Sequence, residues 1–404
     1  MARLPDGERP PADGTLPPEA LRGLGAPERP FGLYVHVPYC ASICGYCDYN
    51  TYIPGDGATS GFAAMAEREL DLARAVLGDA APPAQTVFVG GGTPTLLPPA
   101  ELAQILEAIR ARFGLVEGAE VTTEANPESV DAASLAALRE AGFTRISLGM
   151  QSAAPHVLAT LDRLHTPGRA VAAAREARAA GFEHVSLDLI YGTPGESAED
   201  WRLSLETALE AEPDHISAYS LIVEPGTALA ARVRRGELPA PDDDVLADRY
   251  ETTEAVLSGA GLGWYEVANW TRTDADRCHH NLGYWAGGDW WGVGPGAHSH
   301  VGGVRWWNVL HPTRWSAMVE EGRSPAAGRE QPDADGARLE RVMLAVRLRE
   351  GLALEGLGAG AAGVAAQFVE DGLVERGPLE DDGRVVLTVR GRLLADRVTL
   401  ALAA

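Results

Sequence analysis

Six times between Phe31 and Gly259, a short run rich in β-branched residues gives way to a longer alanine-rich run. The strand-like runs fall at 33–37, 86–89, 120–124, 145–148, 184–190 and 215–221. The longer runs, 61–77, 99–113, 132–141, 168–180, 198–211 and 245–259, read as helices. Alternation of this kind implies parallel strands joined by right-handed crossovers. Six units rather than eight point to an α/β fold with a partial (β/α)6 TIM-like barrel, left open. In barrels of this type the reactive side chains stand at the C-terminal ends of the strands.

The loop after the first strand reads Cys40-Ala-Ser-Ile-Cys44-Gly-Tyr-Cys47. Three soft thiolates this close can hold three irons of a 4Fe–4S cluster. The fourth iron then lacks a ligand in the run and stays open to a small molecule, which suits a cluster that does chemistry. A disulfide uses pairs and an oxidising compartment. Structural zinc takes four ligands, usually in two separated pairs. Only Cys278 remains, far along the chain, with His279 and His280 beside it.

The second strand ends in Gly90-Gly91-Gly92-Thr93-Pro94-Thr95. Glycines let a backbone approach a ligand and present its N–H groups. Alone this is weak evidence. Following the cysteine run on the next strand end, it resembles the radical S-adenosylmethionine (SAM) superfamily. The resemblance implies a 4Fe–4S cluster on Cys40, Cys44 and Cys47, with the glycine-rich strand end against the methionine part of SAM. It also implies an electron donor to the cluster, whose reduced form cleaves SAM to methionine and a 5′-deoxyadenosyl radical.

Glu124, Gln151 and Asp188 fall at or near strand ends, and Arg163 lies in the loop after the fourth strand. Singly, each reads as a solvated loop residue or a helix cap. As a set they resemble the SAM contacts of the anaerobic coproporphyrinogen III oxidase family, a resemblance that runs from Phe31 to the end of the chain. Residue by residue it implies SAM contacts at Tyr34, Tyr46, Gly91, Gly92, Thr93, Glu124, Gln151, Arg163 and Asp188. In that family some of these touch a second SAM.

Eight of the nine tryptophans lie between Trp264 and Trp315, around Cys278-His279-His280-Asn281-Leu282-Gly283-Tyr284-Trp285. One reading is a small aromatic core with glycine turns that closes one end of the barrel. The other comes from the His-Asn-x-x-Tyr-Trp pattern, which resembles the mark of a heme-chaperone branch of the same family. It implies heme at His280, Asn281, Tyr284 and Trp285, with imidazole on the iron and aromatic rings over the porphyrin. A packed structural histidine explains His280 equally well. Oxidases of the family carry a fourth cysteine as Cys-x-Cys; here Cys47-Asp48-Tyr49-Asn50 lacks it.

The expected function is therefore a heme chaperone that delivers heme to hemoproteins such as respiratory enzymes. The alternatives are an oxygen-independent coproporphyrinogen III oxidase and a non-catalytic scaffold with a structural cluster. Expected divisions are a flexible tail over 1–30, the barrel over 31–260, the aromatic extension over 261–335 and a small α+β winged-helix-like domain over 336–404. In the last, the runs at 372–375 and 385–389 flank a turn at Asp381-Asp382-Gly383, as a β-wing would.

Charge removes several classes. The net charge is −23 and all 34 basic residues are arginine. Phosphate backbones need a basic face, so nucleic acid is not an expected partner. Without lysine there is no Schiff-base chemistry. No apolar run spans a bilayer, so any membrane contact is peripheral. The start of the chain shows no signal-peptide core, and a reducing cytoplasm is the expected location.

Overall fold

The computed structural model describes residues 6–26, 29–55, 59–163, 165–358 and 360–404. Its centre is six parallel strands, adjacent in chain order: β1 Phe31–Val37, β2 Ala84–Gly91, β3 Leu115–Ala125, β4 Arg145–Gln151, β5 His184–Tyr191 and β6 His215–Ser220. Helices Phe62–Leu77, Pro99–Phe113, Ala132–Ala141, Arg169–Ala179 and Ala198–Leu209 form the crossovers. All six expected units are present. β3 begins earlier than its β-branched run, because Leu115 pairs with Ala84 before the ladder shifts register.

Each barrel strand has two unlike faces. Leu33, Val35, Val87, Val121, Ile146, Leu187 and Ile216 are buried in the core beneath the helices. Their neighbours Tyr34, Thr122, Glu124, Arg145, Ser147, Ser186, Asp188, His215 and Ser217 face the other way and line a cavity. Parallel strands covered on both faces normally read as continuous apolar runs. The predominantly polar inward residues mean that the lumen is a polar chamber rather than a packed core.

The sheet extends beyond the barrel to twelve strands. The hairpin β7 Gly263–Glu266 and β8 Asn269–Thr271 lies antiparallel to β6. On the other edge β9 Asp289–Val293 runs parallel to β1. Beyond it β10 His298–Val301, β11 Val304–Asn308 and β12 Ala326–Glu330 continue antiparallel. The aromatic stretch is thus mostly sheet, which corrects the expectation of a small closing core. Aromatic residues favour the pleated surface, and Trp291 and Trp306 meet edge to face at 4.7 Å across it. The helix His279–Trp285 helps close the lumen, at the end away from the cysteines.

Residues 6–26 drape over the barrel, mostly exposed or half-buried but anchored at two points. Leu16 and Ala20 join the main core, and Glu8 bridges to Arg329 of β12. Prolines hide these anchors from any period. Residues 1–5 and 27–28 of the expected tail lie outside the described residues.

A second core forms around Val342, Val346, Leu352, Phe368, Leu373, Val385, Val398 and Leu402. Here β13 Leu352–Ala353 pairs antiparallel with β14 Arg384–Val385, and Val374 bridges Leu387. The connection expected as a turn is the helix Arg376–Asp382, ended by Gly383 in the left-handed region. Among the described residues no helix is long and apolar enough to cross a membrane.

Candidate functional site

The loop carrying the cysteines is held by backbone bonds from three directions. Thr93 N–H donates to Tyr39 C=O (2.7 Å), Gly45 N–H to Leu161 C=O (3.1 Å), and Leu229 N–H to Gly45 C=O (2.7 Å). Asn50 adds a fourth tie. Its Nδ2 donates to the carbonyls of Pro295 (2.9 Å) and Leu310 (2.8 Å), while its own carbonyl meets His36 Nε2 at 3.0 Å. This ending of the cysteine loop therefore anchors it to the β9–β11 extension.

Cys40, Cys44 and Cys47 are unpaired, half-buried and all at the edge of one cavity of about 1000 Å³. Small-molecule sites run to roughly that size, so this one has room for more than one group. The thiols face donors: Arg163 Nη1 lies 3.5 Å from Cys44 Sγ and Thr93 Oγ1 3.8 Å from Cys40 Sγ. Burial pushes the Cys40 thiol up and the Cys47 thiol up to about 11. Such thiols hold their protons until a metal displaces them. Three thiols on one pinned loop beside a guanidinium fit a cluster.

Cys278 lies elsewhere. It is buried with Sγ 3.7 Å from Glu120 Oε1, while Glu124, four residues further along β3, reaches the glycine loop. That is roughly 13 Å of strand. Cys278 belongs to the floor of the cavity, not to its mouth.

The glycine loop sits directly above the strand ends. Gly91 N–H donates to Glu124 Oε2 at 2.9 Å. Gly92 has a different constraint from the one ligand approach suggests: a Cβ there would come within 2.5 Å of the Tyr39 carbonyl oxygen. The residue is small so that the two loops can touch, whatever binds beside them. Asp188→Ala is thus a cleaner probe of ligand binding than Gly92→Val.

Glu124 and Asp188 are both half-buried and line the lumen. Asp188 accepts from Ser147 Oγ at 2.9 Å on each oxygen; burial nonetheless raises its pKa, against the Ser217 and Ser147 bonds and the Arg163 charge. Burial, and then the charge of Asp188, push Glu124 up to about 7. Arg163 Nη2 donates to Gly149 C=O at 3.0 Å, and its Nε is unpartnered. Gln151 takes φ 65°, beyond a point where the β4–β5 ladder skips Met150. The irregularity re-aims Gln151 into the cavity. Tyr34 and Tyr46 line it too.

A pH dependence follows. The unfolded Glu124 ionises near 4.5 and the folded one near 7. Between those values the folded chain holds one more proton, so stability falls as pH rises through the window. Relative to Glu124→Gln, the wild-type protein should lose about 3 kcal/mol across it. Denaturant midpoints of both proteins, measured across the window, check this; parallel curves would refute it.

The structure splits the proposed heme residues. His280, Asn281 and Tyr284 line the cavity floor, whereas Trp285 does not line it. His280 is buried and both ring nitrogens are engaged: Nδ1 with Thr86 Oγ1 (2.8 Å), Nε2 with Tyr284 OH (2.7 Å). Its ring stacks on Phe88 at 5.2 Å. Burial holds its pKa down at about 4, so it is neutral. In this arrangement His280 is a packed histidine, while His279 on the same turn is exposed.

What ties this turn down went unread in the sequence. Glu120 accepts from the backbone N–H of His279 and of His280 (3.0 Å each) and pairs with Arg145 at 3.1 Å. Arg145 Nη2 donates to the carbonyls of Asp276 (2.6 Å) and Arg277 (2.8 Å). Period-2 polar residues inside apolar strands were the available signal.

Comparison with known proteins agrees with this geometry. Residues 34–208 match the Radical SAM superfamily, for which a 4Fe–4S cluster and SAM are implied. Heme chaperone HemW of Mycobacterium tuberculosis is 55% identical over 389 residues, which cover 95% of this chain and 98% of that one. Heme chaperone HemW of Bacillus subtilis is 32% identical over 371 residues, 90% and 97% of the two chains. The solved structure of coproporphyrinogen III oxidase (HemN) from Escherichia coli superposes with a TM-score of 0.80 over 97% of this chain and 94% of that one. At 24% identity it shows a likeness of fold alone. With a cysteine loop, a glycine loop and a polar lumen in this arrangement, and with relatives matched over nearly their whole length, the chain belongs to the HemW family of radical SAM proteins.

Proposed function

We propose that this protein binds heme and delivers it to hemoproteins such as respiratory enzymes, on a scaffold that holds a 4Fe–4S cluster at Cys40, Cys44 and Cys47. SAM takes the mouth of the same cavity, contacting Gly91, Gly92, Thr93, Glu124, Gln151, Arg163 and Asp188, with Tyr34 and Tyr46 on its sides. When bound, the cluster supplies the electron that cleaves SAM. The chain's own part is to hold the thiols, to neutralise charge with Arg163 and to keep the chamber closed from below. An electron donor is required, and a reducing cytoplasm suits four unpaired cysteines.

One observation carries the choice of chaperone over oxidase. The position of the oxidase's fourth cysteine is Tyr49, which is 64% exposed at the cavity rim. Ile43 and Ile222, also exposed, border the same rim. An apolar, aromatic edge beside the cluster suits a flat macrocycle.

Heme ligation by His280 requires its bond to Tyr284 to open; His279 requires no such change. The test is anaerobic reconstitution followed by heme titration and a coproporphyrinogen decarboxylation assay on one sample. About one heme per chain and no decarboxylation are expected. The His279→Ala, His280→Ala double variant should change the heme spectrum, because an axial imidazole sets the ligand field of the iron. The single variants say which histidine acts. Efficient decarboxylation by the wild-type protein would overturn the reading in favour of the oxidase.

A further inference from the structure

Among the described residues, two buried donors inside the barrel have no hydrogen-bond partner. Arg145 Nη1 and Thr122 Oγ1 are both inaccessible and unpartnered. They are also neighbours, because Thr122 of β3 and Arg145 of β4 are register partners on the inward face. Both line the cavity. The guanidinium cannot turn away: Nε is held by Glu120 at 3.1 Å, and Nη2 by the carbonyls of Asp276 and Arg277.

The nearby Ser186, His215 and His280 are already satisfied. Ser186 Oγ meets His215 Nδ1 at 2.8 Å, and His215 Nε2 meets Tyr265 OH at 2.8 Å. His280 is bonded on both sides. Arg145 and Thr122 are thus register neighbours at the cavity wall whose donors lack an acceptor. Leaving a buried donor unmade is costly, and more so when it is charged. A fold that keeps two such donors side by side at a cavity wall is shaped for a ligand.

We propose that the barrel floor is a carboxylate subsite, with the ligand's oxygens between Arg145 Nη1 and Thr122 Oγ1. A guanidinium edge and a hydroxyl match a carboxylate in shape and charge. A phosphate matches less well, since Glu120, Glu124 and Asp188 already crowd the lumen with carboxyls and a second negative charge would meet them. The subsite is distinct from the strand-end residues at the mouth, since Arg145 precedes Gly149 by four residues, roughly 13 Å along β4. It stands independently of the heme reading. The carboxylate has two possible sources, a free short-chain acid and the propionate arm of a porphyrin.

The test is calorimetric titration of the anaerobically reconstituted full chain with sodium propionate, and with propionamide as a neutral match. Saturable propionate binding is expected, with propionamide about tenfold weaker or worse. Thr122→Val keeps the side chain's shape and removes only an unpartnered hydroxyl. Its thermal midpoint should equal or exceed that of the wild-type protein, while propionate binding falls about tenfold. That pairing separates a ligand contact from a folding defect, which Arg145 variants would not. Displacement by protoheme but not by its dimethyl ester assigns the carboxylate to a porphyrin; displacement by neither assigns it to a free acid. Absence of saturable propionate binding, or undiminished binding in Thr122→Val, overturns the subsite and leaves ordered water as the occupant.

Discussion

Alanine at Cys40, Cys44 or Cys47 should remove the cluster, and alanine at Cys278 should leave it in place. The three thiols share one loop at the cavity mouth, and losing any one leaves two ligands where a cluster with an open iron needs three. Iron should fall from about four per chain toward zero, together with the visible absorption of the cluster. The fold should survive, because the thiols are half-buried and their contacts with Arg163 and Thr93 are long, at 3.5 and 3.8 Å. Cys278 packs against Glu120 in the closed end of the lumen, and its alanine variant costs packing, not iron. Retention of the cluster in Cys44→Ala with loss in Cys278→Ala would reverse the assignment. Zinc without sulfide on elemental analysis would replace the cluster itself.

These cysteines were legible because their chemistry is local: spacing within one loop decides what they can hold. The barrel was legible for a related reason, since each strand and helix carries its own period. The chamber was half legible. Thr122, Arg145, Ser147, Ser186, Asp188, His215 and Ser217 alternate with apolar neighbours in plain view, yet only knowledge that both sheet faces are covered makes the alternation a lumen.

Other parts depend on contacts distant in the chain. Glu69 sits mid-helix in Phe62–Leu77 and reads as a solvent face. It is instead fully buried, accepting from Gly294 N–H (2.7 Å), Trp315 Nε1 (2.7 Å) and Asn308 Nδ2 (2.6 Å). Burial pushes it up to about 7 against those bonds. Nothing near Glu69 in the sequence announces these partners. The same holds for β9, which pairs with β1 across most of the barrel's length of chain. His280 was ambiguous for a third reason: the residues that hold it, Thr86 and Glu120, belong to two other strands.

Those two strands make Glu120 the residue whose loss should weigh most on stability. It is one half of a buried ion pair, and its carboxylate caps the N–H groups of both His279 and His280. Burial opposes its charge, but Arg145 and those two N–H groups outweigh burial and hold its pKa below the ordinary carboxylate value. Glu120→Ala leaves the Arg145 guanidinium charged and uncompensated in the lumen, which costs about 3–5 kcal/mol. Removing both charges with apolar side chains, as in Glu120→Leu with Arg145→Met, should recover part of that loss, because neither ion then needs a partner. The recovery is partial, since the Asp276 and Arg277 carbonyls lose their donor. Denaturant midpoints of the wild type, the single and the double variant measure both steps. The single variant also reports on heme, because it loosens the helix that keeps His280 against Thr86 and Tyr284. If heme iron takes His280 only when that helix opens, Glu120→Ala should bind heme more tightly than the wild-type protein despite being less stable, since it begins nearer the competent state. If His279 is the ligand, heme affinity should stay where it was while stability alone falls. A loss of under 1 kcal/mol in Glu120→Ala would mean that the pair is not what closes the barrel floor.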